Sequence, residues 1–488
     1  MAIIGAGPAG STAAIRLLGL GRSVALIERD AFPRPHVGES LSPGVWEFFN
    51  YLNAIEVLES TRSLKNISAW VAWETREPRL ITAAERGPGV IVDRGDFDQQ
   101  LVSLAESRGA IRFQPAHMRS IEGEPGNLRI SLTDQDSDHS IHARWIIDAR
   151  GRSSTTGGLR VPLGPKTHGV WTEINSGVIP AETMIEATEH AWLWGSPLSN
   201  GCFRVMAFVA TADLKLDWLC DQRFRNLLSG SQLFQSAAST EFNSLLKARS
   251  VTSYFHTGFW DQGTISVGES ALALDPLSSS GVEKSMRLAL QAAIAINTVL
   301  ESPSSESIAR EFYETRLLES AAAHTNWTQR YYAEAWPAKL SSFWHDRAMP
   351  FNVRGIHHQF FARLASIKIV NEEERKNQAI ITPQSLARLG MDAQLTLSTD
   401  VHIRSTPCAV SDLVVSRPAV THPSLIRPVA YLNGIEIVPL IRLVLPGDSI
   451  RSLLLRWNKR IPLESSMPLL VWMLENGILE LKSQPMNL

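Results

Sequence analysis

A chain of 488 residues is longer than one ordinary hydrophobic core supports, so two or three domains are expected. A formal net charge of -2 gives no electrostatic footing for nucleic acid or an anionic membrane surface, and no apolar run approaches the ~18 residues of a spanning helix. Cys202, Cys220 and Cys408 are too scattered for a disulfide framework or a metal cage, so no metal is expected and a reducing, cytoplasmic setting fits best.

The chain opens on a short apolar strand, Ile3-Ile4, that runs into Gly5-Ala6-Gly7-Pro8-Ala9-Gly10 and then into an Ala- and Leu-rich helix ending at Gly19 to Gly21. A second strand, Val24 to Ile27, ends in Glu28-Arg29. In this strand, turn, helix, strand and acid order the glycines have separate jobs: a tight turn, close approach of backbone to a pyrophosphate, and close packing of helix on strand. The helix N-terminus then offers free N–H groups to phosphate, and Glu28 stands where it can accept from ribose hydroxyls. A glycine-rich turn without a nucleotide is the simpler alternative, and the full context argues against it.

Ala31 to Pro43 is a Pro- and Gly-rich loop containing Gly38-Glu39-Ser40, followed by a helix bearing Val45, Phe48, Phe49 and Leu52. Strands are expected at Ile67 to Trp73 and Val90 to Val92. Asp96 with Gln99 reads as the cap of a helix whose buried stripe is Phe97, Leu101, Leu104 and Ala105, with Arg94 just outside it, facing either a cofactor or a surface ion pair. From Ile111 to Ile147 turn signals at Glu124 to Asn127 and Asp134 to Asp138 predict a β-meander, which ends in Asp148-Ala149-Arg150-Gly151. Alternating strands follow to about Tyr254, including Trp192-Leu193-Trp194 and Phe203 to Phe208, with one helical stretch near Trp218 to Leu228. A further strand leads to Gly268-Glu269, then the loop Leu274-Asp275-Pro276-Leu277-Ser278-Ser279-Ser280-Gly281, then a long helix from Val282 to Leu300. That loop sets small residues and free N–H groups at the positive end of a helix, which would stabilise an anionic reduced flavin ring.

The order Gly5, Gly7, Gly10, Glu28, Gly38-Glu39-Ser40, Arg94, Asp148, Gly151, Gly268-Glu269, Asp275-Pro276 and Gly281 resembles the FAD-dependent monooxygenases of the p-hydroxybenzoate hydroxylase fold, over roughly residues 1–350. Gly38-Glu39-Ser40-x-x-Pro43 is similar to the flavin-dependent tryptophan halogenase branch. The resemblance implies an α/β fold: a Rossmann-type FAD-binding domain (1–65, 90–155 and 255–300) with an inserted β-sheet substrate domain (66–89 and 156–254). A helical extension (301–375), a loop-rich connection (376–425) and a small winged-helix-like α+β module (426–488) would follow. It also implies bound FAD, reduced by NAD(P)H or a partner flavin reductase, and a C4a-hydroperoxide formed with O₂. Pro8, Ala9, Arg29, Ser280 and Val282 join the expected cofactor contacts.

Departures from the branch are informative. Trp192-Leu193-Trp194-Gly195-Ser196-Pro197 keeps both tryptophans and the proline of the halogenase W-x-W-x-I-P signature but not its isoleucine. Set against the halogenase lysine strand, Leu64 to Trp73 places Ala69 where the reactive lysine belongs, and alanine cannot do that chemistry. The chain therefore most resembles the flavoprotein monooxygenases of tryptophylquinone biogenesis, which implies hydroxylation of tryptophan in a partner polypeptide. Trp192, Trp194, Pro197 and Ala69 then belong to the substrate pocket, and His168 and Glu173 are weak candidates for a proton acceptor, an ordinary polar contact being the simpler role for each. Three other functions stay open: a halogenase with a displaced lysine, a geranylgeranyl-type reductase, and a flavin-holding adaptor that never turns over. Trp327, Tyr331, Tyr332 and Trp336 at helical spacing read as core. The C-terminal module, with no charge bias toward nucleic acid, reads as a docking element for a partner or as structural padding.

Overall fold

Ala2–Ile4 lies inside a six-stranded sheet whose order is Trp260–Asp261, Thr264–Ser266, Ile146–Asp148, Ala2–Ile4, Ala25–Ile27 and Ile111–Phe113. All neighbours are parallel except Trp260–Asp261. Strands buried on both faces need apolar residues throughout, and Ala2, Ile3, Ile4, Leu26, Ile27, Ile146 and Ile147 supply them. Helix Pro8–Gly19 packs between Gly281–Glu301 and Arg94–Ser107. The structure describes residues 1–134, 137–214, 221–350, 358–367 and 390–481 of a computed structural model. Two compact units divide the chain, Met1–Ser304 with Tyr313–Leu364 and Ser305–Phe312 with Ala365–Leu488.

The structure departs from two local expectations. Ile111–Phe113 joins the parallel sheet, and the meander proper is Ala116–Glu124, Asn127–Asp134 and Ser137–Ala143, with residues 135 and 136 of its second turn outside the described residues. The cap of Arg94–Ser107 is Asp93, whose carboxylate accepts from Gly95 N and Asp96 N, so the helix starts one turn earlier than Asp96 predicts.

The second large sheet has seven strands in the order Lys247–Ser250, Thr167–Asn175, Cys202–Ala210, Trp192–Pro197, Thr183–Ala187, Ala69–Ala72 and Arg79–Ile81. Alternation along each strand splits its residues between two faces. On the far face Val170, Leu193, Phe203, Val205, Ala207 and Val209 pack with Phe224 and Leu228 of helix Asp221–Ser229. Residues 215–220, where the helix was expected to begin, lie outside the described residues. A side chain at Gly195 would meet Phe203 Cε1 at 2.5 Å and Phe234 Cε1 at 2.6 Å, so this face closes only over glycine. On the near face Trp192, Trp194, Met206 and Phe208 cluster with Trp73, Tyr332 and Trp344. Of the four aromatics read as core, Tyr332 is buried in helix Glu306–Glu334, Trp327 and Tyr331 on the same helix are half-buried, and Trp336 packs half-buried beyond its end. Val90–Val92 pairs with Ser40–Leu41 and Ser63–Lys65 in a separate three-stranded sheet.

The C-terminal unit holds its own core, in which Leu395, Ile437, Leu453, Trp457, Leu470, Met473 and Ile478 are fully buried or nearly so. Gln394–Leu397 pairs with Asp448–Ser449 and Leu479–Leu481, and helices Ile450–Trp457 and Leu463–Glu475 complete the unit. Of the expected loop-rich connection, residues 376–389 lie outside the described residues and the rest is largely strand: His402–Val410 and Leu413–Thr421 form a hairpin that turns at Ser411-Asp412. Both turn residues take positive φ, 47° and 67°, the two-residue turn whose twist matches a hairpin. Tyr431 to Glu436 forms the hairpin that Asn433-Gly434 predicts. No helix among the described residues is long and apolar enough to cross a membrane.

Candidate functional site

A cavity of about 560 Å³ opens where the glycine turn, the Gly38-Glu39-Ser40 loop, the Asp275-Pro276 loop and the near face of the seven-stranded sheet meet. Gly5 has φ 103°, and a Cβ there would lie 2.4 Å from Ala149 O. A Cβ on Gly10 would lie 1.9 Å from Gly5 O, so these two glycines let the turn and helix close on the sheet. Gly7 differs, because a Cβ there meets nothing nearer than Arg34 Nη2 at 3.7 Å, and its openness faces the cavity. The helix that follows has Pro8 at its start, no side-chain cap and no acid in its first turn, so its N–H groups are available to an anion. Glu28 is fixed by Ala6 N at 2.8 Å and Asp30 N at 2.9 Å, which presents its carboxylate at the end of Ala25–Ile27.

Arg94 is buried and donates twice to Asp98, at 3.1 and 3.2 Å, and to the carbonyls of Val37 and Gly38 at 2.8 and 3.2 Å. It therefore shapes the Gly38-Glu39-Ser40 loop instead of pairing at the surface. Glu39 turns inward to Arg204 of strand Cys202–Ala210, which also pairs with Glu173. Burial lowers the Arg204 pKa to about 10. One guanidinium thus joins the loop to the substrate-side sheet. His36, on the same loop, is held down to about 4, by burial first and then by Arg94.

Asp148 ends its strand behind the cavity. Burial works to raise its pKa, but the Arg150 guanidinium at 2.8 and 3.0 Å and Ser154 Oγ at 2.6 Å outweigh it and hold the carboxyl below the usual range. Asp275 accepts from Leu277 N at 3.0 Å and from Tyr332 Oη at 3.1 and 3.2 Å, and its burial raises its pKa. Those bonds lock the loop that precedes helix Gly281–Glu301, whose N-terminus has no side-chain cap and reaches the cavity through Gly281 and Val282.

The expected cofactor residues line the cavity except Gly10, Asp148 and Ser280, which stand behind it; Ser280 Oγ bonds Ser278 Oγ at 2.7 Å. Of the expected substrate residues, Trp192 and Trp194 line it, Trp192 stacked on Phe208 with ring centroids 3.7 Å apart. Ala69 shares their face but is buried out of the cavity, beside Thr183. Pro197 pairs with Phe203 and so lies on the far face, out of the cavity. His168 pairs with Val209 on that same far face, bonded to Thr211 Oγ1 at 2.9 Å, which removes it from the site. Glu173 shares the near face but is engaged by Arg204. Sequence reasoning missed Arg34, Arg150, Arg152, Met206 and Phe208 in the lining. Arg150 and Arg152 flank the Gly151 already singled out, and Met206 and Phe208 follow Arg204 at alternate positions, so the signal was present as strand periodicity.

A parallel sheet, a glycine turn and a second uncapped helix N-terminus converging on one cavity define a dinucleotide-binding enzyme fold. The model of the FAD binding domain family matches residues 1–252, and the chain belongs to that family. The tryptophan 2-halogenase of Chondromyces crocatus is 28% identical over 334 residues, which cover 64% of this chain and 63% of that protein, so the match spans less than two thirds of it. Among solved structures, the peptidyl tryptophan dihydroxylase QhpG, essential for tryptophylquinone cofactor biogenesis, superimposes with a TM-score of 0.73 at 22% identity over 98% of each chain. The flavin-dependent halogenase CmlS does so with 0.74 at 19% identity, over 99% of this chain and 96% of its own. These two likenesses are likenesses of fold. The residues around the cavity fit FAD: Gly7 and the Pro8–Gly19 N-terminus suit a pyrophosphate, Glu28 a ribose, and the Pro276 to Val282 segment an isoalloxazine.

Proposed function

We propose that the protein is a FAD-dependent monooxygenase that hydroxylates an aromatic ring, a tryptophan indole on a partner polypeptide, during the biogenesis of a tryptophylquinone cofactor. The observation that carries this reading is the composition of the cavity wall. Trp192, Trp194, Met206 and Phe208 form an apolar aromatic face opposite the flavin-side loops, and among the described residues the lining contains no lysine to handle a hypohalous acid. The fold shared with a peptidyl tryptophan dihydroxylase supports the same substrate class.

FAD bound there supplies, once reduced, oxygen-transfer chemistry from O₂. Its electrons would come from NAD(P)H or a partner flavin reductase. The chain's own contribution is placement. The Trp192–Phe208 stack offers a flat apolar surface for a ring, worth about 0.5–1.5 kcal/mol beyond area burial for a stacked aromatic pair. The apolar wall keeps water from the reacting centre. An indole carbon is already nucleophilic, so no strong base is needed to begin, and Glu173 remains ion-paired to Arg204.

The test is intact mass spectrometry of a tryptophan-bearing polypeptide and of free tryptophan, each incubated with reduced FAD, O₂ and bromide. Oxygen added to the polypeptide alone is the expected result. Bromine on either substrate would establish the halogenase reading instead, and unchanged masses would reject both.

A further inference from the structure

Two register rows cross the near face of the seven-stranded sheet, and each ends in a cation. The first runs Trp192, Phe208, Gly169, Arg249 and the second Trp194, Met206, Trp171, Lys247. Directly paired residues on neighbouring strands share a face, so both cations stand on the side of the aromatic wall. Arg249 itself lines the cavity. Both are exposed, and among the described residues neither side chain has a hydrogen-bond or ion-pair partner.

The other arginines of the lining contrast with them. Arg29 pairs with Asp30, Arg34 with Asp30 and Glu28, Arg94 with Asp98, Arg150 with Asp148 and Arg152 with Glu269. Positive charge is therefore balanced on the flavin side and unbalanced at the sheet edge. Between the edge and the rings sits Gly169, where a Cβ would already be 3.4 Å from Met206 Sδ and 3.6 Å from Phe208 Cε1. A longer side chain there would run into both, so the bare backbone of Gly169 spans the row between the rings and Arg249.

We propose that Arg249 and Lys247 bind a carboxylate of the substrate whose aromatic ring lies against Trp192 and Phe208. The assignment rests on the hydroxylase reading and narrows its substrate to an acidic polypeptide. Three strand spacings separate Arg249 from Trp192, roughly 14 Å, and an extended peptide advances ~3.3 Å per residue. The carboxylate therefore falls about four residues from the target tryptophan. A phosphate of a nicotinamide donor shares the anionic chemistry and is separated from it by the test below.

Two synthetic peptides are compared, each with a central tryptophan, one carrying Glu three and four residues to either side and the other Gln at those places. Both are titrated calorimetrically into FAD-loaded wild-type protein and into the Arg249→Met, Lys247→Met double variant, with products read by intact mass. The acidic peptide is expected to bind wild type at least about tenfold more tightly. That preference should fall to within about twofold in the double variant or at about 0.5 M salt, with FAD content unchanged. Equal binding of the two peptides to wild type, no binding of either, or a preference that survives in the double variant overturns the inference. Charge-dependent binding without added oxygen supports the carboxylate site while rejecting the hydroxylase reading. Slower flavin reduction by NADPH in the double variant, with peptide preference intact, assigns the cations to the donor's phosphate and overturns the proposal.

Discussion

The two walls of the cavity are built by opposite means. On the glycine-turn side the working groups are backbone, placed by residues that lack side chains: Gly5 and Gly10 permit contacts that no other residue fits, and Gly7 leaves a surface bare. On the sheet side the working groups are side chains placed by strand register, with Trp192, Phe208, Gly169 and Arg249 in one row although they lie as far as 80 positions apart in sequence. A backbone site of this kind leaves no room for a side chain at Gly5 or Gly10. A register site is retuned one side chain at a time, since each row member contributes separately.

The sharpest break of that comparison is Gly10→Val. The added carbon would lie 1.9 Å from a backbone oxygen that cannot move without dismantling the turn. FAD absorbance in the purified protein should vanish, with stability lowered by about 3 kcal/mol or more. Next in size is Arg204→Met, which leaves Glu39 and Glu173 without their shared cation. Removing one partner of a buried ion pair costs about 3–5 kcal/mol, read as a shift of the urea midpoint. Glu39→Gln, which keeps the shape, should cost less. If Arg204→Met proves as stable as wild type, the two walls are not joined through it.

A third prediction concerns pH. His324 is buried against Asp275 O at 3.0 Å and Lys284 Nζ at 3.4 Å, and its pKa is lowered to about 3, by burial first and then by Lys284. The unfolded chain takes up this proton near 6.5 while the fold resists it until about 3. Its contribution is therefore complete above pH 6.5 and declines as pH falls, by about 2 kcal/mol at pH 5. Urea unfolding at pH 7 and 5 should show a loss in wild type that exceeds that of His324→Gln by about 2 kcal/mol, the variant keeping the share due to His36. The smallest expected effect lies in the C-terminal unit: Ser449→Ala removes the side-chain cap on Ser452 N at 3.2 Å and should cost about 1 kcal/mol, with FAD binding unchanged.

How much the sequence disclosed follows the same division. Gly5, Gly7, Gly10 and Glu28 lie within one short span and obey a local rule, so their meaning is readable before any fold is known. Arg204 is unremarkable in isolation, and only the pairing of Cys202–Ala210 and the inward turn of Glu39 show what it does. His168, a candidate proton acceptor, and Pro197, a candidate pocket residue, both stand on the far face for the same reason: strand alternation is fixed by register and not by residue type. The hairpin His402–Thr421 was hidden by Pro407 and Pro418, which argue against a strand interior. They are tolerated in a two-stranded ribbon, where an outward N–H has no partner to lose.

Strand Cys202–Ala210 also bears on how such a protein could change its substrate. Its odd positions, Phe203, Val205, Ala207 and Val209, belong to the far-face core, while its even positions, Arg204, Met206 and Phe208, face the cavity side. Volume-conserving mutation at Met206 or Phe208 can vary the pocket while the residues between them keep the sheet anchored, so specificity can be explored along one strand at a cost confined to the near-face cluster.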